Sequence, residues 1–174
     1  MDPIKLFTGS SNPGLAHKVA EALDIQVGDA DVTRFSDGEV NLGFNESIRA
    51  TDVFLLQSTS YPGNDHLMEL LLMVDACRRA SASRVNAVIP YFGYSRQDRQ
   101  VRPRVPISAK VVANMLGAVG VDRVITIDIH AKQIQGFFDV PVDLLSAGRL
   151  LIEHLRGLDL QDPVLVAPDA GGVE

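Results

Sequence analysis

Short, nearly all-apolar β-branched runs alternate with longer amphipathic stretches, and this alternation constrains the chain more than any other feature. Strands are expected at 4–8, 31–35, 40–45, 53–57, 85–90, 124–129, 140–145 and 164–167. Several carry apolar residues on both faces, which suits a parallel sheet covered on either side. The pair at 31–35 and 40–45 differs, because Asp37-Gly38 between strand-like runs reads as the tight turn of a hairpin. Between the strands, Asn12 caps a helix with Pro13 in its first turn, running to about Leu23. A second begins at Asn64 or Asp65 and ends near Ala80, with Leu67, Leu70, Leu71 and Val74 on one face. A third runs from Pro106 to about Leu116 with Ile107, Val111 and Met115 spaced for burial, and a fourth contains Leu150 to Leu155. Strand, helix, strand, helix implies a layered α/β fold with a parallel sheet. Ligands of such folds sit beyond the carboxyl ends of the strands.

Composition narrows the function classes. The chain has 174 residues, 46% of them hydrophobic, enough to bury a core. A single cysteine forms neither an internal disulfide nor a Cys-rich zinc site and points to a reducing, cytoplasmic setting. No apolar run approaches the roughly 18 residues of a membrane helix. The first residues, Met1 to Lys5, lack a secretory pattern. A net charge of −6 argues against bulk nucleic-acid binding. From Arg78 to Lys110, however, eight basic residues face one acid, so this window is +7 and the remainder −13. Such a window suits either a solvated basic face or a seat for a small, highly charged anion.

The strand ends carry the candidate chemistry. Thr8 to Asn12 is a small polar loop at a helix start, read first as a capped turn and second as an anion seat. Phe35 to Glu39 needs only Asp37-Gly38 as a turn, which leaves Phe35 to stack and the carboxylates to accept from an amine or hydroxyl. Tyr91 to Arg99 joins aromatics and a glycine to Arg96-Gln97-Asp98-Arg99, and guanidinium groups match phosphate oxygens in pairs. Asp128 and His130 share a face if their strand stays regular, and could bind a metal, shuttle a proton or hold structure. Asp139 and Asp143 are weaker candidates of the same stretch, and Asp169 is the last carboxylate, beside Gly171-Gly172. Cys77 reads as core.

Taken in order, Phe7-Thr8-Gly9-Ser10, Phe35 to Glu39, Asp75 to Ala80, Pro90 to Arg99, Pro106 to Lys110, Asp128 to Asp139 and Pro168 to Gly172 closely resemble ribose-phosphate pyrophosphokinases. The resemblance implies a phosphoribosyltransferase-like domain with a flag-like hairpin at 1–146. The start of a second, similar domain would follow at 147–174, cut short before that family's catalytic and 5-phosphate loops. It implies diphosphoryl transfer from ATP to the 1-hydroxyl of ribose 5-phosphate, with Mg²⁺, in a homo-oligomer, a hexamer in the family. Phe35, Asp37, Glu39, Arg96 and Gln97 match ATP-binding positions, the hairpin serving a neighbouring subunit's nucleotide. His130 and Asp169 match metal positions, with Asp128 nearby. No catalytic side chain is expected within 1–174 beyond this metal-assisted site around His130. Ser47, Arg49, Arg78 and Ser81 match a site where phosphate activates and ADP inhibits. One departure is Gln100 to Val105, where relatives are more uniformly basic; it bears on nucleotide affinity or regulation, not on the fold. The alternative is a non-catalytic relative that binds nucleotide and assembles with active subunits. A flavodoxin-like binder is a third reading, which the ordered motifs disfavour.

Overall fold

Parallel strands require long crossovers, and this chain supplies one between each neighbouring pair. The computed structural model describes residues 3–164, 166 and 167. In chain order the elements are β1 (Ile4–Thr8), α1 (Pro13–Ala22), β2 (Ala30–Arg34), β3 (Val40–Phe44), β4 (Asp52–Leu56), α2 (Gly63–Arg79), β5 (Arg84–Ile89), α3 (Ser108–Val119), β6 (Arg123–Ile127), a 3₁₀ helix (Lys132–Phe137), β7 (Val142–Leu145) and α4 (Gly148–Arg156). Five strands form one sheet in the order β1-β4-β5-β6-β7, every pair parallel. β2 and β3 form a separate antiparallel ribbon around Asp37-Gly38. The α/β architecture and the hairpin thus follow the sequence expectation, with strand ends moved by one or two residues.

The pleat sorts the core into two layers. Phe7, Leu55, Ala87 and Val124 lie in register across four strands and pack with Leu70, Met73 and Val74 of α2 and Val112 and Leu116 of α3. The opposite face sets Leu6 and Leu56 against Ala16 and Ala20 of α1. The hairpin docks on the first layer through Leu42 and Phe44, the Phe44 ring meeting Phe7 edge-on at 4.6 Å.

Two expectations are corrected. Ile107, Val111 and Met115 do not form the buried face of α3: Val111 is 51% exposed, and Ala109, Val112, Ala113 and Leu116 turn inward instead. The helix is apolar on more than one side, so close approach through its alanines, not periodicity alone, selects the buried stripe. The described residues of the strand expected at 164–167 are not in a strand. Val164 and Val166 are exposed and irregular, with no described strand beside them to complete a ladder, and Leu165 lies outside the described residues. α4 has no buried residue, although Leu150, Leu151, Ile152 and Leu155 make it apolar along one side. Among the described residues no helix is long and apolar enough to cross a membrane.

Candidate functional site

The segment after β5 is built to turn sharply. Thr59, just past β4, donates its hydroxyl to the Tyr91 carbonyl at 3.1 Å and accepts from the Gly93 amide at 2.7 Å. A Cβ at Gly93 would sit 2.5 Å from the Thr59 carbonyl oxygen, so only glycine lets the two backbones meet. Tyr94 then takes a φ of +65°, and the Gln97 amide closes on the Tyr94 carbonyl at 3.1 Å. Gln97 is locked to the start of α3: its carbonyl accepts from the Ala109 amide, and its side-chain oxygen from the Ser108 hydroxyl.

Beyond this turn Arg96, Gln97, Arg99 and Arg102 line a cavity of about 360 Å³ with Val101 and Val105. Among the described residues none of these three arginines has a carboxylate partner. Three arginines lining one cavity without such partners among the described residues favour a polyanion. Arg99 and Arg102 were not separated by sequence reasoning from the rest of the basic window; the shared cavity marks them.

At the neighbouring strand, β6 stops at Ile127 and Asp128 adopts a φ of +44°. The condition under which Asp128 and His130 would share a strand face is therefore not met. The Asp128 carboxylate instead accepts from the Ala147 amide at 3.0 Å, at the start of α4. His130 is exposed. Its segment is tied to the arginine loop, because Gln133 donates to Asp98 at 2.9 Å and Phe138 packs edge-on against Phe92 at 5.8 Å. Arg96, Gln97 and His130 are thus held at the adjacent carboxyl ends of β5 and β6. Asp139 is exposed beyond the 3₁₀ helix. Asp143 belongs to a different environment, since it lies inside β7 and pairs with Arg123 at 2.7 Å.

Asp169 lies outside the described residues. Among those described, no group of three His, Cys, Asp or Glu side chains could hold a metal ion. Mg²⁺ demands about six oxygens in near-octahedral array. An exposed imidazole and a carboxylate already accepting from an amide do not fit that requirement by themselves.

The hairpin presents Phe35, Asp37 and Glu39 on its exposed turn. The turn is closed by Phe35 and Gly38 amides bonded to the Glu39 and Phe35 carbonyls at 2.9 and 3.0 Å, with Gly38 at a φ of +93°. At its base Arg34 reaches the buried carboxylate of Glu69, which Ser10 and Gln57 also contact. In the loop after β1, Asn12 caps α1 as the first reading expected, and Ser10 binds the protein's own Glu69 carboxylate. Sequence reasoning missed Glu69, whose only signal is a carboxylate within an otherwise apolar turn of α2.

At the opposite, amino-terminal end of the sheet, the Ala50 amide bonds the Ser81 carbonyl at 2.9 Å. This draws the 47–49 and 78–81 segments together. Ser47, Arg49, Arg78 and Ser81 are all exposed there. Arg78 also pairs with Asp122 at 3.1 Å.

Comparison with known proteins places the chain in a family. The profile of the N-terminal domain of ribose phosphate pyrophosphokinase matches residues 4–120. The chain belongs to the ribose-phosphate pyrophosphokinase family. It is 60% identical over 174 residues to the ribose-phosphate pyrophosphokinase of Vibrio cholerae, covering 99% of this chain and 55% of that protein. To that of Pasteurella multocida it is 59% identical, covering 99% and 56%. The crystal structure of phosphoribosylpyrophosphate synthetase from Mycobacterium smegmatis superposes with a TM-score of 0.86 at 44% identity, covering 89% of this chain and 52% of that one. The chain therefore spans about half the length of these pyrophosphokinases.

Proposed function

We propose that the full-length protein of which this chain forms part transfers the diphosphoryl group of ATP to the 1-hydroxyl of ribose 5-phosphate. The anomeric oxygen attacks the β-phosphorus in line. The bond from that phosphorus to the bridging oxygen shared with the α-phosphate breaks, and the products are phosphoribosyl pyrophosphate and AMP. The observation that carries this reading is the convergence of Arg96, Arg99 and Arg102, without carboxylate partners among the described residues, on one cavity beside Gln97. It stands in a chain 60% identical to a protein named for the reaction.

In this reading Arg96 and Gln97 hold the triphosphate in place, so that the charge spread over its oxygens in the transition state meets fixed donors rather than mobile water. Phe35, Asp37 and Glu39 reach the nucleotide of a second copy, which makes the complete site a property of a homo-oligomer, a hexamer by family likeness. ATP enters as its magnesium complex, the cation carried by the phosphates. His130 stands on the approach, and Asp169 is proposed as the carboxylate that joins it. Residues 1–146 form the first phosphoribosyltransferase-like domain, and residues 147 onward begin the second, whose core would cover the apolar side of α4. Ser47, Arg49, Arg78 and Ser81 form the seat for phosphate or ADP. The setting is cytoplasmic, with neither nucleic acid nor membrane as partner.

The decisive measurement is AMP release by the full-length protein from ATP and ribose 5-phosphate, with Mg²⁺ and phosphate present. Stoichiometric AMP and phosphoribosyl pyrophosphate are expected. ADP in place of AMP, or no turnover, would overturn the reading.

A further inference from the structure

Glu69 lies on α2, outside every group assigned above to nucleotide, metal or regulatory anion, and is 2% exposed. Its carboxylate accepts from Arg34 Nη2 at 3.0 Å, the Ser10 amide at 3.1 Å, the Ser10 hydroxyl at 2.7 Å and Gln57 Nε2 at 2.7 Å. Gln57 is itself buried and fixed, accepting from the Ser11 amide at 3.1 Å and donating to the His66 carbonyl at 3.2 Å. The carboxylate therefore joins α2, the loop after β1 and the end of β4, and has no freedom to shift alone.

Arg34 carries that fixed point outward. It is the last residue of β2, adjacent to Phe35, and while Nη2 binds Glu69 its Nη1 donates to the Gly38 carbonyl at 3.3 Å, inside the turn. A planar guanidinium locks its two partners relative to each other, which a single ammonium cannot do. An isolated two-stranded ribbon is marginal in water, so a turn at its exposed end needs such a tie to hold one orientation. An ion pair with one partner buried, moreover, is a weak device for stability, because desolvation of that partner offsets much of the attraction. That directs attention to position as its role.

We propose that Glu69 is a positioning residue which, acting through Arg34, sets the orientation of the Phe35–Glu39 turn and thereby the affinity for the nucleotide that the turn serves. The inference rests on the nucleotide role proposed above for that turn.

The test compares the full-length protein with its Arg34→Lys and Glu69→Gln variants. Arg34→Lys keeps the charge on a half-exposed side chain and removes only the double reach; Glu69→Gln removes the charge. Expected for Arg34→Lys is a rise in KM for ATP of about tenfold, with KM for ribose 5-phosphate and kcat changed less than about twofold. Hydrogen exchange at the amides of 35–39 should accelerate while that of β1 and β4 stays the same. Glu69→Gln should give the same exchange signature. Unchanged KM for ATP with unchanged exchange would overturn the proposal. So would a parallel rise in both KM values with a lowered Tm, which would mark general loss of structure. If the unsubstituted protein releases no AMP, the proposed reaction fails. The positioning role is then judged by exchange alone, acceleration at 35–39 upholding it and no change refuting it.

Discussion

Cys77 sits among Leu70, Met73, Val74 and Val85 with no exposed surface, and burial pushes its thiol up to about 12 from the ordinary 9.0. A raised pKa means the unfolded chain loses this proton first as pH rises. The associated stability is therefore fully present below about pH 9 and lost progressively toward pH 12. An aromatic disulfide reagent at pH 8 should leave the native thiol untouched and modify one thiol per chain after denaturation. Rapid modification of the native protein would show that the helix opens easily. The buried reading of Cys77 was open to sequence because a lone cysteine in an apolar helical face has few other uses. Glu69 was not legible: a glutamate on a helix reads as solvent-facing until Arg34, Ser10 and Gln57 are seen to surround it. Asp128 lies between these cases. Its place at a strand end is visible in the sequence, but the φ of +44° that turns its carboxylate to the Ala147 amide depends on where β6 loses its neighbours.

α1 is the element in which local chemistry and outcome agree most closely. The Asn12 side chain accepts from the Leu15 amide at 3.0 Å, and Pro13 occupies the first turn, where its missing N–H costs nothing. Asn12→Ala should lower unfolding free energy by about 1 kcal/mol in a denaturant titration with an unchanged slope. A neutral result would show that the loop, not the cap, sets the start of the helix. α3 shows the limit of the same reasoning. Its expected buried stripe was Ile107, Val111 and Met115, yet Val111 and Met115 line a cavity of about 430 Å³ with Met68 and Leu71 of α2. Both possible stripes are apolar, so packing geometry chose between them. The hairpin, by contrast, was plain from Asp37-Gly38 between two strand-like runs, with Gly38 supplying the positive φ that the turn requires.

At the scale of the molecule, the parallel order β1-β4-β5-β6-β7 sets the arginine loop and His130 at adjacent strand ends, and the 47–49 and 78–81 segments at the other. The chain alone, about half the length of its relatives, is expected to release no AMP from ATP and ribose 5-phosphate under conditions where the full-length protein does. Turnover by the 174-residue chain would overturn that expectation. The sequence by itself determined the layered α/β class, the hairpin, the order of the strand-end motifs and, through their joint likeness, the family. These depend on alternation, turn residues and motif order, which are properties of the chain read along its length. Only the tertiary structure decided that Arg99 and Arg102 share a cavity with Arg96, that Asp143 pairs with Arg123, and that Glu69 is the buried anchor of the hairpin. Those outcomes depend on which residues distant in sequence the sheet register and helix packing bring within a few ångströms, and no local pattern carries that information.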